Sequence, residues 1–241
     1  MDKVKDSFIL DQSKKTSNID SIIQGERYRF TVLTERLIRL EYNANSKFTD
    51  NLTASIRNRN FVKPEFNIID SSTTLEIKTK YFHIVYEKEA PLVGPKSNPS
   101  MYFYAKINNT DEVWYPNKKD TENIKGNYRS LNDNQNGETL FSRSKYAVVD
   151  ESLSPIITEN GYFTFTDNKT DIYLFVYNND FSLALQDYLA LTGKASLIPK
   201  YAFGNILLDN RKVNSDSVIK TIEEFKNKDI YLSSYILGDF A

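Results

Sequence analysis

Apolar residues recur at every second position through most of this chain. In "ERYRFTVLTERLIRLEYN" (26–43), Tyr28, Phe30 and Val32 share one face, Leu40 and Tyr42 alternate further on, and Thr34-Glu35 is placed for a hairpin turn. "TTLEIKTKYFHIVYEK" (73–88) repeats the pattern through Leu75, Ile77 and the run from Tyr81 to Tyr86. "MYFYAKI", "YAVVD", "GYFTFT" and "DIYLFVY" are further short segments of this kind, separated by Asn, Asp, Gly and Pro. Short strands between turn residues predict a mainly β chain, with an antiparallel β-sandwich over residues 1–178 after a polar lead-in.

The period changes at "NNDFSLALQDYLALTG" (178–193). Asp180 is placed to cap a helix, Phe181, Ala184, Leu185 and Tyr188 follow at helical spacing, and Gly193 closes it. Residues 179–199 therefore read as a linking helix and a connector ended by Pro199. Beyond it, "YAFGNILL" reads as a strand buried on both faces. "NSDSVIKTIEEFKNKD" reads as a helix starting at Asn214 or Ser215 with Val218, Ile219, Ile222 and Phe225 inward, and "IYLSSYIL" as another strand. Strand, helix, strand is a parallel βαβ unit, and parallel sheets are covered on both faces. Residues 200–241 thus read as the incomplete opening of an α/β domain.

Composition narrows the chemistry. Hydrophobic residues make up 40% of the 241, enough for a real core. Lys plus Arg (31) and Asp plus Glu (32) nearly cancel, so neither nucleic acid nor an anionic membrane is expected as a partner. No segment approaches the roughly 20 apolar residues of a membrane span, and the start has no signal-peptide core. The absence of cysteine excludes disulfides, thiolate metal sites and cysteine nucleophiles, and is compatible with the cytoplasm, the expected location. The single histidine, His83, reads as a packed or surface strand residue. No metal and no cofactor are expected.

An ordered set of motifs resembles glycoside hydrolase family 31, the α-glucosidase and α-xylosidase group. An early segment is matched by Glu35, Arg36, Ile38, Arg39, Glu41 and Tyr42, and a following one by Asn58, Arg59 and Phe61. "GNYRSLN" and "SRSKYAVVDES" resemble the family's "GTYRTLD" and "SRDGWAVVDDS", and "LTGKASLIPKYAFGNIL" its bridge into the catalytic barrel. The resemblance implies a mutarotase-like sandwich, then the first βαβ of a truncated β/α barrel. It also implies a parent enzyme that hydrolyses O-glycosidic bonds of α-linked glucosides, with an α-linked oligosaccharide as partner. Self-association into a homo-oligomer stays open.

Glycoside hydrolysis uses two carboxylates flanking the scissile bond. The resemblance places both beyond the second barrel strand, so no residue here is assigned a catalytic role and the isolated chain is expected to be inactive. Sugar contacts are a separate matter. Asp239, after the second strand, matches a family Asp that bonds the sugar, although Gly238 replaces an acid; otherwise it is an ordinary loop Asp. Asp209 and Arg211 follow the first strand, as pocket-mouth residues or as a surface pair. Arg143 and Asp150 flank "SKYAVV", in a loop that either folds over the barrel mouth or is a solvated hairpin. Trp114 reads as a sandwich-core or rim residue or as a sugar platform, and the remaining aromatics as core. The different reading is a stand-alone carbohydrate-binding or structural sandwich without catalysis.

Overall fold

In the computed structural model, the described residues are 11–93, 102–126, 137–165, 169–195 and 197–238. The chain forms one compact unit over Met1–Lys194 and a second over Ala195–Ala241. The strands in chain order are β1 (Ile22–Gln24), β2 (Tyr28–Val32), β3 (Leu37–Asn43), β4 (Asn67–Asp70), β5 (Thr74–Lys78), β6 (Phe82–Glu87) and β7 (Phe103–Ile107). There follow β8 (Val113–Trp114), β9 (Tyr146–Asp150), β10 (Ile156–Ile157), β11 (Phe163–Thr164), β12 (Lys169–Val176), β13 (Ile206–Asp209) and β14 (Ser234–Leu237). Helices α1 (Phe181–Thr192) and α2 (Ser215–Asn227) complete the set.

The first unit is an antiparallel sandwich. One five-stranded sheet has the order β1-β2-β3-β12-β9 and the other β4-β5-β6-β7-β8. Tyr28, Phe30, Val32, Ile38, Leu40, Ile172, Leu174 and Val176 of the first sheet meet Leu75, Ile77, Phe82, Ile84, Tyr86 and Phe103 of the second in one buried cluster. Alternation in the sequence aligns these side chains on the inner faces. Trp114 is buried there, edge-on to Phe103 at 5.8 Å, so it is a core residue and not a sugar platform. His83 is a strand residue, its Nε2 2.8 Å from Glu76.

Alternation of apolar with charged residues ordinarily marks a solvated outer face. The first sheet departs from this, because its outer face is buried as well. Helix α1, capped by Asp180 on the Leu183 N–H and closed at Gly193 with φ 91°, lies over it. Ala184 and Leu191 of the helix and Ile56 of the irregular strap over residues 48–61 join Leu37, Tyr173 and Phe175 in a second core. A bidentate ion pair fixes the helix: Arg36 Nε and Nη2 donate to Asp187 at 2.8 and 3.0 Å.

The second unit pairs β13 with β14 in parallel, Ile206 opposite Ser234 and Asp209 opposite Leu237. Helix α2 connects them, with Asn214 and Ser217 forming a reciprocal cap. Two expectations are corrected here. "YAFGNILL" is not one doubly buried strand: Lys200–Phe203 is a 3-10 turn, and the strand begins at Ile206 with Ile206 and Leu208 exposed. Along α2, Val218 and Phe225 are half-buried, but Ile219 and Ile222 are exposed. One helix on a two-stranded parallel sheet covers only part of its apolar surface.

Candidate functional site

Asp209 ends β13, where chain direction puts it at the carboxyl edge of the parallel pair. In β/α architectures this edge carries the functional side chains. Its carboxylate accepts from Arg211 Nε at 2.8 Å, Arg211 Nη2 at 2.7 Å and the Arg211 backbone N–H at 3.0 Å. Tyr235, which the parallel register brings alongside on β14, donates its hydroxyl to the second oxygen. The Arg211 bonds and then the Tyr235 bond hold the Asp209 carboxyl well below the usual carboxylate range. With its donors all in place, Asp209 is locked as an anion and serves to orient its neighbours, not to carry protons.

Arg211 is the presented group. Its side chain is 72% exposed while Asp209 is 3% exposed, so the fork anchors one edge of the guanidinium and leaves the other to solvent. The hydrogen bond to Asp209 raises the Tyr235 hydroxyl above its ordinary value. Tyr235 went unnoticed in the sequence; strand pairing alone brings it to Asp209. Gly238 donates its N–H to Asp209 O at 2.9 Å. A Cβ at 238 would meet Asn210 Oδ1 at 2.2 Å and Asn210 Cα at 3.1 Å, so the acid expected there by resemblance requires Asn210 to move. Asp239 lies outside the described residues.

The other two candidates belong to the sandwich unit and are not brought together. Arg143 is exposed and precedes β9, with its N–H on Glu122 O at 3.0 Å. Asp150 ends β9, exposed, and caps the Ser152 N–H at 2.9 Å. At about 3.3 Å per strand residue the two stand at opposite ends of β9. Of the loop quoted for the resemblance, residues 127–132 lie outside the described residues. The cavity along β9, 710 Å³, is lined by others, among them Asp120, Phe141, Tyr146, Leu185 and Tyr188.

Of the motif residues that carried the resemblance, Arg36, Arg39, Glu41 and Arg59 turn out to be held in buried or half-buried ion pairs and hydrogen bonds. Across three adjacent strands, Arg29 of β2, Glu41 of β3 and Asp171 of β12 follow one another in register on the outer face of the first sheet, and the Glu151 N–H just past β9 donates to Asp171 O at 2.8 Å. Arg29 forks onto Glu41 at 2.7 and 2.9 Å, and Arg39 onto Asp171 at 2.8 and 2.7 Å. Arg39 Nη2 also stands 3.0 Å from Glu41. Arg59 reaches in from the strap, donating to the Tyr173 hydroxyl at 2.7 Å and to the carbonyls of Asp50 and Asn51. All of these side chains are buried. Burial pushes Asp171 up, but the Arg39 charge and fork outweigh it and hold the carboxyl at about 2. Burial wins at Glu41, which is raised. Such a network positions the strap over the sheet, and removing any one member strands its partner. Arg36, Arg39, Glu41 and Arg59 were visible as a motif, whereas their partners Asp187, Asp171, Arg29 and Tyr173 were not.

No protein-family model matches the sequence, and no curated protein does so. Solved structures do match its fold. A GH31 α-xylosidase from a soil metagenome, complexed with xylose, superposes with a TM-score of 0.51 at 10% identity, covering 86% of this chain and 38% of that one. A Flavobacterium johnsoniae GH31 dextranase complexed with glucose matches with a TM-score of 0.49 at 16% identity, covering 88% of this chain and 31% of that one. The chain spans about a third of the length of these structures. Its fold, a sandwich followed by a parallel strand–helix–strand, is the fold of the matched portion of the α-xylosidase.

Proposed function

We propose that this chain is the N-terminal portion of a family 31 α-glycosidase that hydrolyses O-glycosidic bonds of α-linked glucosides. In this reading the sandwich supports a catalytic β/α barrel, of which β13, α2 and β14 are the first elements. The observation that carries it is the match of 86% of the chain to the α-xylosidase fold. The motif order in the sequence points the same way, and Asp209 with Arg211 stands at the strand edge that such barrels use. Asp209 is not one of the catalytic carboxylates in this reading, since it is fully committed to its donors and has neither the free lone pairs of a nucleophile nor the proton of an acid. The pair is assigned, as the family resemblance implies, to later strands of the barrel. Arg211, held by Asp209, contributes hydrogen bonds to sugar hydroxyls at the edge of the cleft.

The test uses both forms of the protein. Native protein captured from its cells with an antibody to the sandwich should turn over an aryl α-glucoside or α-xyloside, and the purified 241-residue chain should not. A native protein without any α-glycosidase activity overturns the reading in favour of a stand-alone sandwich. Turnover by the purified chain, lost on a point substitution within it, overturns the assignment of catalysis to residues elsewhere.

A further inference from the structure

Where β3 ends and β12 begins, Asn43 stands opposite Lys169 on the outer face of the first sheet. The loop after β3 brings Asn45, Lys47 and Phe48 beside them, and together they enclose a cavity of 290 Å³, at the lower end of small-molecule pockets. We propose that this cavity binds a phosphate group, free or carried on a sugar. The proposal stands apart from the glycosidase reading and uses none of the residues placed at the strand edge of the second unit.

The charge balance of the lining carries it. Lys169 is 8% exposed, and its Nζ has no hydrogen-bond acceptor among the described residues. The Asp171 oxygen nearest it is 3.7 Å away and already takes Arg39 Nη2 at 2.7 Å. A buried ammonium short of acceptors is unfavourable, and an oxyanion in the adjoining cavity corrects this. Glu41, the carboxylate in the lining, has both oxygens committed to Arg29 and is flanked by Arg39 as well, so its charge is cancelled from the far side. Lys47 is exposed and makes no ion pair among the described residues. Asn43 Oδ1 accepts the Asn45 N–H at 2.8 Å, which leaves its Nδ2 uncommitted among the described residues, and Thr170 adds a hydroxyl.

The kind of donor selects the anion. Planar carboxylates are matched by guanidinium forks, and the forks nearby are occupied by Glu41 and Asp171. Two lysines acting as point charges, with separate amide and hydroxyl donors, suit a tetrahedral oxyanion instead. Tyr42, Phe48 and Thr49 complete the lining, and the two aromatic rings leave apolar wall for a ring beside it.

Calorimetric titration of the 241-residue chain with inorganic phosphate and with glucose 1-phosphate, at fixed ionic strength, tests this, with glucose as the neutral control. Saturable binding at one site is expected, weakened about tenfold or more by Lys47→Ala and by Lys169→Met, since each removes a charge-assisted hydrogen bond. Lys47 is on the surface, so its variant remains informative if Lys169→Met fails to fold. Equal affinity for the two ligands supports the free ion, and tighter binding of glucose 1-phosphate supports the sugar-borne group. No saturable heat with either, binding unchanged in Lys47→Ala, or equal binding of glucose overturns the proposal.

Discussion

Two Asp–Arg forks in this molecule have the same geometry and different surroundings. Arg39 grips Asp171 at 2.8 and 2.7 Å, and Arg211 grips Asp209 at 2.8 and 2.7 Å. In the first, both side chains are at most 2% exposed, and the fork is one link in a network that runs over three strands and into the strap. In the second, the arginine is 72% exposed and the carboxylate it grips is 3% exposed. The bond lengths therefore do not say what an ion pair does; desolvation does. The buried fork is bound to its fold because losing one partner leaves a charge in a dry interior. The exposed fork is free to be a binding element because water replaces whatever its arginine gives up.

The largest expected effect breaks the buried fork. Asp171→Ala should lower stability by about 3–5 kcal/mol, the range for an orphaned buried charge, read as a fall in the urea midpoint of the 241-residue chain. The double variant Arg39→Leu/Asp171→Leu should lose less than the two single variants summed, since it leaves no unpaired charge between them. Asp209→Ala in the same assay should leave the main transition in place. Equal losses from Asp171→Ala and Asp209→Ala would erase the distinction between the two forks.

Acid sharpens the same contrast. Asp171 sits at about 2 in the folded chain against an ordinary 3.8, so its contribution is fully present above pH 3.8 and is lost as pH falls toward 2. Glu41 runs the other way. Its folded carboxyl is raised, so its protonation favours the fold as pH falls toward and through the ordinary 4.5. The denaturation midpoint should therefore hold or rise slightly into mild acid and then drop steeply below pH 3.8. In Asp171→Asn the steep limb should flatten, and an unchanged limb would assign acid sensitivity to other carboxylates.

Much of the sandwich could be read from the sequence because its inner faces follow a strict period of two, and α1 because Asp180 and Gly193 mark its ends chemically. The outer face of the first sheet was hidden for a physical reason. Arg39 and Glu41 alternate with apolar neighbours just as solvated residues do, and only pairing with β12, more than a hundred residues later, shows that they are covered. Tyr235 was hidden likewise, since its role depends on the parallel register with β13. The second unit misled in the other direction: an apolar run such as "YAFGNILL" fits a buried strand, but burial depends on neighbours that a local pattern does not contain. Arg143 and Asp150 were grouped by closeness in sequence, and an extended strand separates such residues instead of joining them.

A smaller effect is expected from separating the two units. A chain ending at Lys194 retains both sheets, α1 and the whole buried network. Its cooperative transition should stay close to that of the 241-residue chain. Self-association should decrease, because the exposed apolar side chains of Ile206, Leu208, Ile236 and Leu237 are removed with the unpaired strand edges. Loss of the cooperative transition in the shortened chain would show that residues 195–241 belong to the sandwich core, and the two forks would then share one folding unit.

The smallest effect is spectroscopic, and it isolates the exposed fork. Tyr235 donates to Asp209, and this bond to an ionised carboxylate raises the tyrosine above its ordinary 10.0, because deprotonation would set two negative oxygens against each other. Asp209→Asn removes the charge while keeping the size of the side chain. The tyrosinate absorbance titration of that variant should show one tyrosine moving down toward the ordinary range relative to the parent chain. Tyr235→Phe should remove the same component from the parent titration. Arg211→Lys gives the complementary reading: a lysine cannot reproduce the two-point fork, so Asp209 should titrate closer to an ordinary carboxylate while the thermal transition barely moves. If Asp209→Asn leaves every tyrosine where it was, the cluster at the strand edge is not assembled in solution, and Arg211 loses the anchor on which its role at the cleft rests.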